Sequence, residues 1–164
     1  KYTRSGLELL DKSILERDNF ADAYVLRMSL TYNRFQYEMD KMQSIIADVT
    51  AAEETAKKLD PTNPRFYLVQ GIATFYTPAA FGGGVDKATP MLEKSVELFS
   101  LIKNSDETLP DWGNSGAYGY LALCQLDAGK ITEAKASLDK ALALDPDSKF
   151  LTGYVKKEYD EKAK

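Results

Sequence analysis

The tripeptide Leu-Asp-Pro occurs at Leu59-Asp60-Pro61 and again at Leu144-Asp145-Pro146, 85 positions later, each time closing a stretch rich in Ala and Lys. Identical stops after similar stretches constrain the chain to repeated units, since self-similarity over tens of residues is how helical arrays are encoded. Apolar spacing points the same way. Leu7, Leu10 and Ile14, then Tyr24, Met28, Tyr32 and Phe35, then Met42, Ile45, Val49, Ala52, Ala56 and Leu59 recur at three and four residues, the helix period. No stretch longer than a few residues alternates with the β-branched enrichment of a strand. The expected fold class is all-α.

Pro61, Pro64, Pro78, Pro110 and Pro146 mark joints, because proline removes a donor and pushes its predecessor out of the helical region. Asp40 followed by Gln43 has the spacing of a capping box. Together these signals predict about eight helices, near 4–17, 20–37, 41–59, 64–77, 87–102, 114–128, 131–144 and 148–161.

The stretch YGYLALCQLDAGKITEAKASLDKALALDP, residues 118–146, resembles the tetratricopeptide repeat (TPR), a helix pair of about 34 residues. Tyr118 takes the first-helix aromatic position, Leu121 and Ala122 the Leu-Gly pair, Gly129 the turn, and Ala134, Leu138, Ala141 and Pro146 the second-helix positions. Gln125 departs, standing where the family has Tyr. A middle unit matches through Tyr67, Gly71, Ala88, Leu92 and Ser95, and an earlier one through Tyr24, Met28, Ala56 and Pro61. The resemblance implies one domain over 1–164: a half repeat at 4–17, a repeat at 20–61, a repeat at 64–102 with a 78–86 loop insertion, a linker at 103–113, a repeat at 114–146 and a solvating capping helix at 148–161. Such pairs stack into a short right-handed solenoid. A solenoid beginning on a half repeat exposes an apolar face, so the N-terminal end is expected to pack on preceding residues or another chain; the start, lacking Met, reads as trimmed or processed.

More narrowly, FYTPAAFGGGVDKA followed by LPDWGNSGAYGYLALC is similar to exported TPR proteins of the Gram-negative envelope, including T-components associated with TRAP-type solute transporters. That likeness implies a periplasmic or exported location.

Composition narrows the function classes. With 21 basic against 25 acidic residues the formal charge is −4, which argues against nucleic acid, whose binding needs many cations on phosphates. There is no histidine, so the commonest general base and zinc ligand are absent. Cys124, the single cysteine, sits mid-helix among leucines and reads as an inert buried thiol. Adjacent carboxylates such as Glu53-Glu54 and Asp106-Glu107 diverge on a helix and make no acid/base pair. The expectation is therefore no enzyme, no catalytic residue, no metal and no cofactor. No apolar run reaches the 18 or so residues of a membrane helix, so no membrane insertion is expected.

The triple glycine in TPAAFGGGVDKATP, residues 77–90, lacks both the spacing and the preceding strand of a phosphate loop, and Asp86 at the following helix start repels an anion. Two readings of this enlarged turn stay open. In one, Phe81 tucks into the helix pair while the glycines permit the return; in the other, the loop shapes one end of a groove and touches a ligand.

TPR arrays line a concave surface with their first helices, and the resemblance places Tyr32, Asn33, Arg65, Leu68, Ile72, Phe75, Tyr76 and Asp127 on it, with Phe81 at its edge. The surface is mixed and aromatic and lacks the cations of a carboxylate clamp. The expected function is a non-catalytic interaction module binding a peptide or protein segment in an aromatic groove; the alternative is a periplasmic solute-binding component of the TRAP-associated TPR type, taking a small, largely apolar molecule.

Overall fold

The computed structural model describes residues 2–102 and 109–164, which carry eight α-helices and no strand. The Asp106-Glu107 pair and most of the 103–113 linker lie outside the described residues. The helices are α1 (Tyr2–Glu16), α2 (Ala21–Tyr32), α3 (Met42–Leu59), α4 (Pro64–Tyr76), α5 (Val85–Leu101), α6 (Asn114–Asp127), α7 (Ile131–Leu144) and α8 (Lys156–Lys162). They fall into two compact units, Lys1–Val69 and Gln70–Lys164.

In the first unit α1 packs on α2, and α2 on α3. Its core is the expected apolar face: Val25, Met28, Ile45 and Ala56 are fully buried. Helix α2 stops at Tyr32, short of the expected 37, and Asn33–Gln36 continues as a 3₁₀ turn. The capping box is not formed. Asp40 lies inside a second 3₁₀ turn, Met39–Lys41, closed by Lys41 N donating to Glu38 O at 2.9 Å, so Lys41 occupies the N-cap of α3 and makes no side-chain cap. The effective cap is elsewhere. Buried Asn63 Oδ1 accepts from the backbone N–H of Arg65 (2.9 Å) and Phe66 (3.3 Å), satisfying orphan donors at the start of α4, while Pro64 at the first helical position has no donor to lose.

In the second unit α5 packs on α6, and α6 on α7. The repeat pattern becomes a core as the resemblance implies: Ala122, Leu123, Leu126, Ala134, Leu138 and Ala141 are buried in one cluster with Leu151 and Val155. Small residues set the helix approach. A Cβ on Gly71 would stand 2.8 Å from the Leu92 side chain, so α4 and α5 close on a glycine. Gln125, the departure from the pattern, accepts a hydrogen bond from Ser137 on α7 at 2.8 Å. Pro90 sits inside α5, within the expected 87–102 helix.

The enlarged α4–α5 turn is built from backbone bonds: Gly82 N to Ala79 O (3.0 Å), Gly83 N to Pro78 O (3.2 Å) and Gly84 N to Thr74 O (2.9 Å). Gly82 and Gly84 have φ of +88° and +101°, values an L side chain rarely adopts. Phe81 does not tuck in; it is 82% exposed, because Ala79–Phe81 forms a 3₁₀ turn whose pinned backbone carries the ring outward.

The C-terminal segment is mostly exposed, with two buried residues turned to the core. A π-helical stretch, Phe150–Val155, precedes α8, and its Leu151 and Val155 are fully buried.

Candidate functional site: an aromatic ladder

Five rings of the second unit form a continuous series. Phe75 and Tyr76 end α4, Tyr120 lies in α6, and Phe150 and Tyr154 stand four apart in the π-helical stretch. Ring centroids are 5.1 Å apart for Phe75–Tyr76, 5.9 Å for Phe75–Tyr120 and 6.1 Å for Tyr76–Tyr120, all edge-to-face. Tyr120 and Phe150 are stacked at 4.8 Å, and Phe150 lies 6.1 Å from Tyr154. Both edge-to-face and stacked geometries suit the quadrupoles of the rings.

Local structure explains the assembly. Gly119 faces the π-helical stretch so closely that a Cβ there would lie 2.6 Å from Leu151 Cδ2 and 2.9 Å from Phe150 Cε1. Its lack of a side chain lets Phe150 reach Tyr120. The wide turn that begins at Phe150 places Tyr154 on the same series, and such π turns recur at functional positions.

The ladder is partly open: Tyr76 is 61% and Tyr154 43% exposed, while Phe75, Tyr120 and Phe150 are half-buried. The Tyr76 and Tyr120 hydroxyls share a hydrogen bond of 3.3 Å. Burial, then that hydrogen bond, pushes the Tyr120 phenol well above the ordinary tyrosine range, and burial followed by the charge of Glu158 raises Tyr154. Both shifts favour the neutral form of the Tyr120 and Tyr154 phenols. What this surface presents to solvent is ring faces and phenol hydroxyls.

Of the nine expected groove residues, the ladder joins only Phe75 and Tyr76. Ile72 is half-buried one turn earlier, Phe81 projects from the loop, and exposed Asp127 lies 3.6 Å from Lys162. The other four belong to the first unit. Tyr32 is half-buried beside Phe35, 6.4 Å between centroids, with its phenol raised by burial and then by Glu53; Asn33 is the exposed C-cap of α2. Leu68 is only 3% exposed, and Arg65 is buried with its guanidinium 3.7 Å from the Asp22 carboxylate. Tyr120, Phe150 and Tyr154 were missed. The Tyr-Gly-Tyr at 118–120 and the four-residue Phe150–Tyr154 spacing were the available signals.

Among the described residues no group of acidic or sulfur ligands could hold a metal, and no helix is long and apolar enough to cross a membrane. No protein-family model and no curated protein matches this chain. Among solved structures it is similar to the HusA haemophore from Porphyromonas gingivalis, with 31% identity and a TM-score of 0.64 over 73% of this chain; the match spans 60% of the haemophore's length. It is also similar to TTC0263, a TPR protein of Thermus thermophilus, with 17% identity and a TM-score of 0.63 over 93% of this chain and 70% of that one. The fold is all-α and TPR-type, as the repeat register implied.

Proposed function

We propose that this chain is a non-catalytic binding module whose aromatic ladder takes a flat, largely apolar ligand of the porphyrin type, haem being the first to test. The observation that carries the reading is the five-ring series of Phe75, Tyr76, Tyr120, Phe150 and Tyr154 with two of its rings open to solvent. The likeness to a haemophore adds to it. A macrocycle laid on exposed tyrosine rings gains dispersion and offset stacking while the phenols hydrogen-bond at its edge. With no histidine in the chain and Cys124 buried, the grip falls on the ring faces, without an imidazole or thiolate on the metal. Exposed Phe81 and half-buried Ile72 complete the ligand-contacting set in this reading.

A second reading keeps the module but changes the cargo: an apolar peptide segment anchored by Tyr76 and Tyr154, as TPR-type folds allow. Either reading suits a periplasmic or exported protein, the location proposed here on the Gly-rich-turn likeness. Equilibrium titration with haem and, separately, with an aromatic-rich peptide discriminates them. The proposal expects saturable haem binding at micromolar or tighter affinity and weaker peptide binding. Peptide binding without haem binding rejects the porphyrin reading.

A further inference from the structure

The first unit holds a basin of about 750 Å³, lined by Arg4, Ser5 and Leu7 of α1 and by Arg34, Tyr37, Glu38, Asp40 and Lys41 of the enlarged α2–α3 connection. Its frame is an ion-pair knot. Arg34 gives NH1 to Asp48 Oδ2 at 2.8 Å and its Nε and NH2 to Glu38 Oε2 at 3.3 and 3.1 Å. The hydrogen bond from Arg34 holds the Glu38 carboxyl below its ordinary range. Arg34 and Glu38 are mostly shielded from solvent, 17% and 16% exposed, while Asp48 is 41% exposed; the knot fixes the two 3₁₀ turns and, with two carboxylates on one guanidinium, keeps one net negative charge, which Lys41 faces at 3.5 Å.

What remains uncommitted sorts by charge. Arg4 and Asp40 have no hydrogen-bond or ion-pair partner among the described residues, and Lys41 reaches only the already engaged Glu38 Oε2, at 3.5 Å. The basin thus offers a free guanidinium, a loosely held ammonium and the exposed Tyr37 phenol as donors, with one free carboxylate as acceptor. A guanidinium fork matches a carboxylate, and a lone carboxylate matches an ammonium. We infer that this basin binds a small zwitterion, an α-amino acid or short peptide, with its carboxylate on Arg4 and Lys41 and its ammonium on Asp40.

The test is a titration followed by backbone-amide NMR shifts at residues 4–7 and 33–41, with glycylglycine, N-acetylglycylglycine and acetate as probes. Glycylglycine is expected to saturate by about 10 mM and to bind more tightly than either probe lacking the ammonium. Arg4→Gln should weaken all three about tenfold, whereas Asp40→Asn should weaken glycylglycine alone. Both variants alter exposed residues, and an unchanged melting temperature shows that they fold. Absence of saturable shifts overturns the site. Acetate binding as well as glycylglycine, or an Arg4→Gln variant that binds normally, overturns the zwitterion assignment. Because the basin is confined to the first unit, these outcomes are independent of haem binding.

Discussion

The phenol oxygens of Tyr76 and Tyr120 meet at 3.3 Å across 44 positions of sequence, joining the last residue of α4 to the middle of α6. That contact depends on neighbours making room, and Gly119 makes the room next to it. Gly119→Ala should push the Phe150 ring off Tyr120, reducing the near-UV circular dichroism of the tyrosines and weakening haem about tenfold. Retention of both signals would show that Phe150 is not held by that gap.

Glycines at other positions should behave oppositely, by their surroundings. A Cβ on Gly83 would stand 2.1 Å from Thr77 O and 2.7 Å from Thr74 O, both backbone atoms that cannot step aside. Gly83→Ala is expected to cost about 1–3 kcal/mol. Gly116 lies in α6 with nothing within 4 Å of the added atom, so Gly116→Ala should stabilise by about 0.5–1 kcal/mol. Urea unfolding of the two variants measures both signs.

Asp22 and Arg65 form a pair that is 16% and 8% exposed, supported by Asn63 Nδ2 at 3.2 Å from Asp22 Oδ2, while Asp22 Oδ1 has no hydrogen bond among the described residues. Burial raises the Asp22 pKa, and Arg65 opposes the rise. Arg65→Met strands the carboxylate and should destabilise by about 3 kcal/mol at neutral pH. A carboxyl raised in the folded state binds its proton more readily there than when unfolded. Its penalty is therefore full above the folded pKa and is relieved as pH falls toward the unfolded value. The difference between variant and wild type should shrink on acidification from pH 7 toward pH 4, as equilibrium unfolding at several pH values reports. A gap independent of pH contradicts the assignment to Asp22.

Burial pushes the Cys124 thiol up to about 11, with a hydrogen bond from Thr89 acting the other way, and the residue is fully buried. Thiolate is the reactive form. Reaction with a disulfide reagent at pH 8 should be at least about a hundredfold slower in the native protein than in urea, since both ionisation and access are suppressed. Fast native labelling would mean that α6 opens locally.

The helices and the core were legible in the sequence because both rest on local periodicity. Ala134, Leu138 and Ala141 at repeat spacing became buried positions, and Gly71 became a close approach. The ladder was half legible. Phe75 and Tyr76 follow from the repeat register, whereas Tyr120 and Phe150 meet only through a π-helical turn and the missing side chain of Gly119, neither of which has a periodic signature. The Asp40–Gln43 spacing misled because the Arg34–Glu38–Asp48 knot organises that connection as 3₁₀ turns, a tertiary choice that overrides capping chemistry. The repeat register gives Arg65 a groove position but carries no signal of its burial against Asp22, a contact 43 positions away.

The porphyrin reading stands or falls on Tyr76, the most exposed ring of the ladder. Soret-band titration of haem into the wild type and into Tyr76→Ala is the direct measurement. The account predicts saturable binding by the wild type and about tenfold weaker binding by the variant, at an unchanged melting temperature. Equal affinity of the two proteins, or no saturable binding by the wild type, would contradict it.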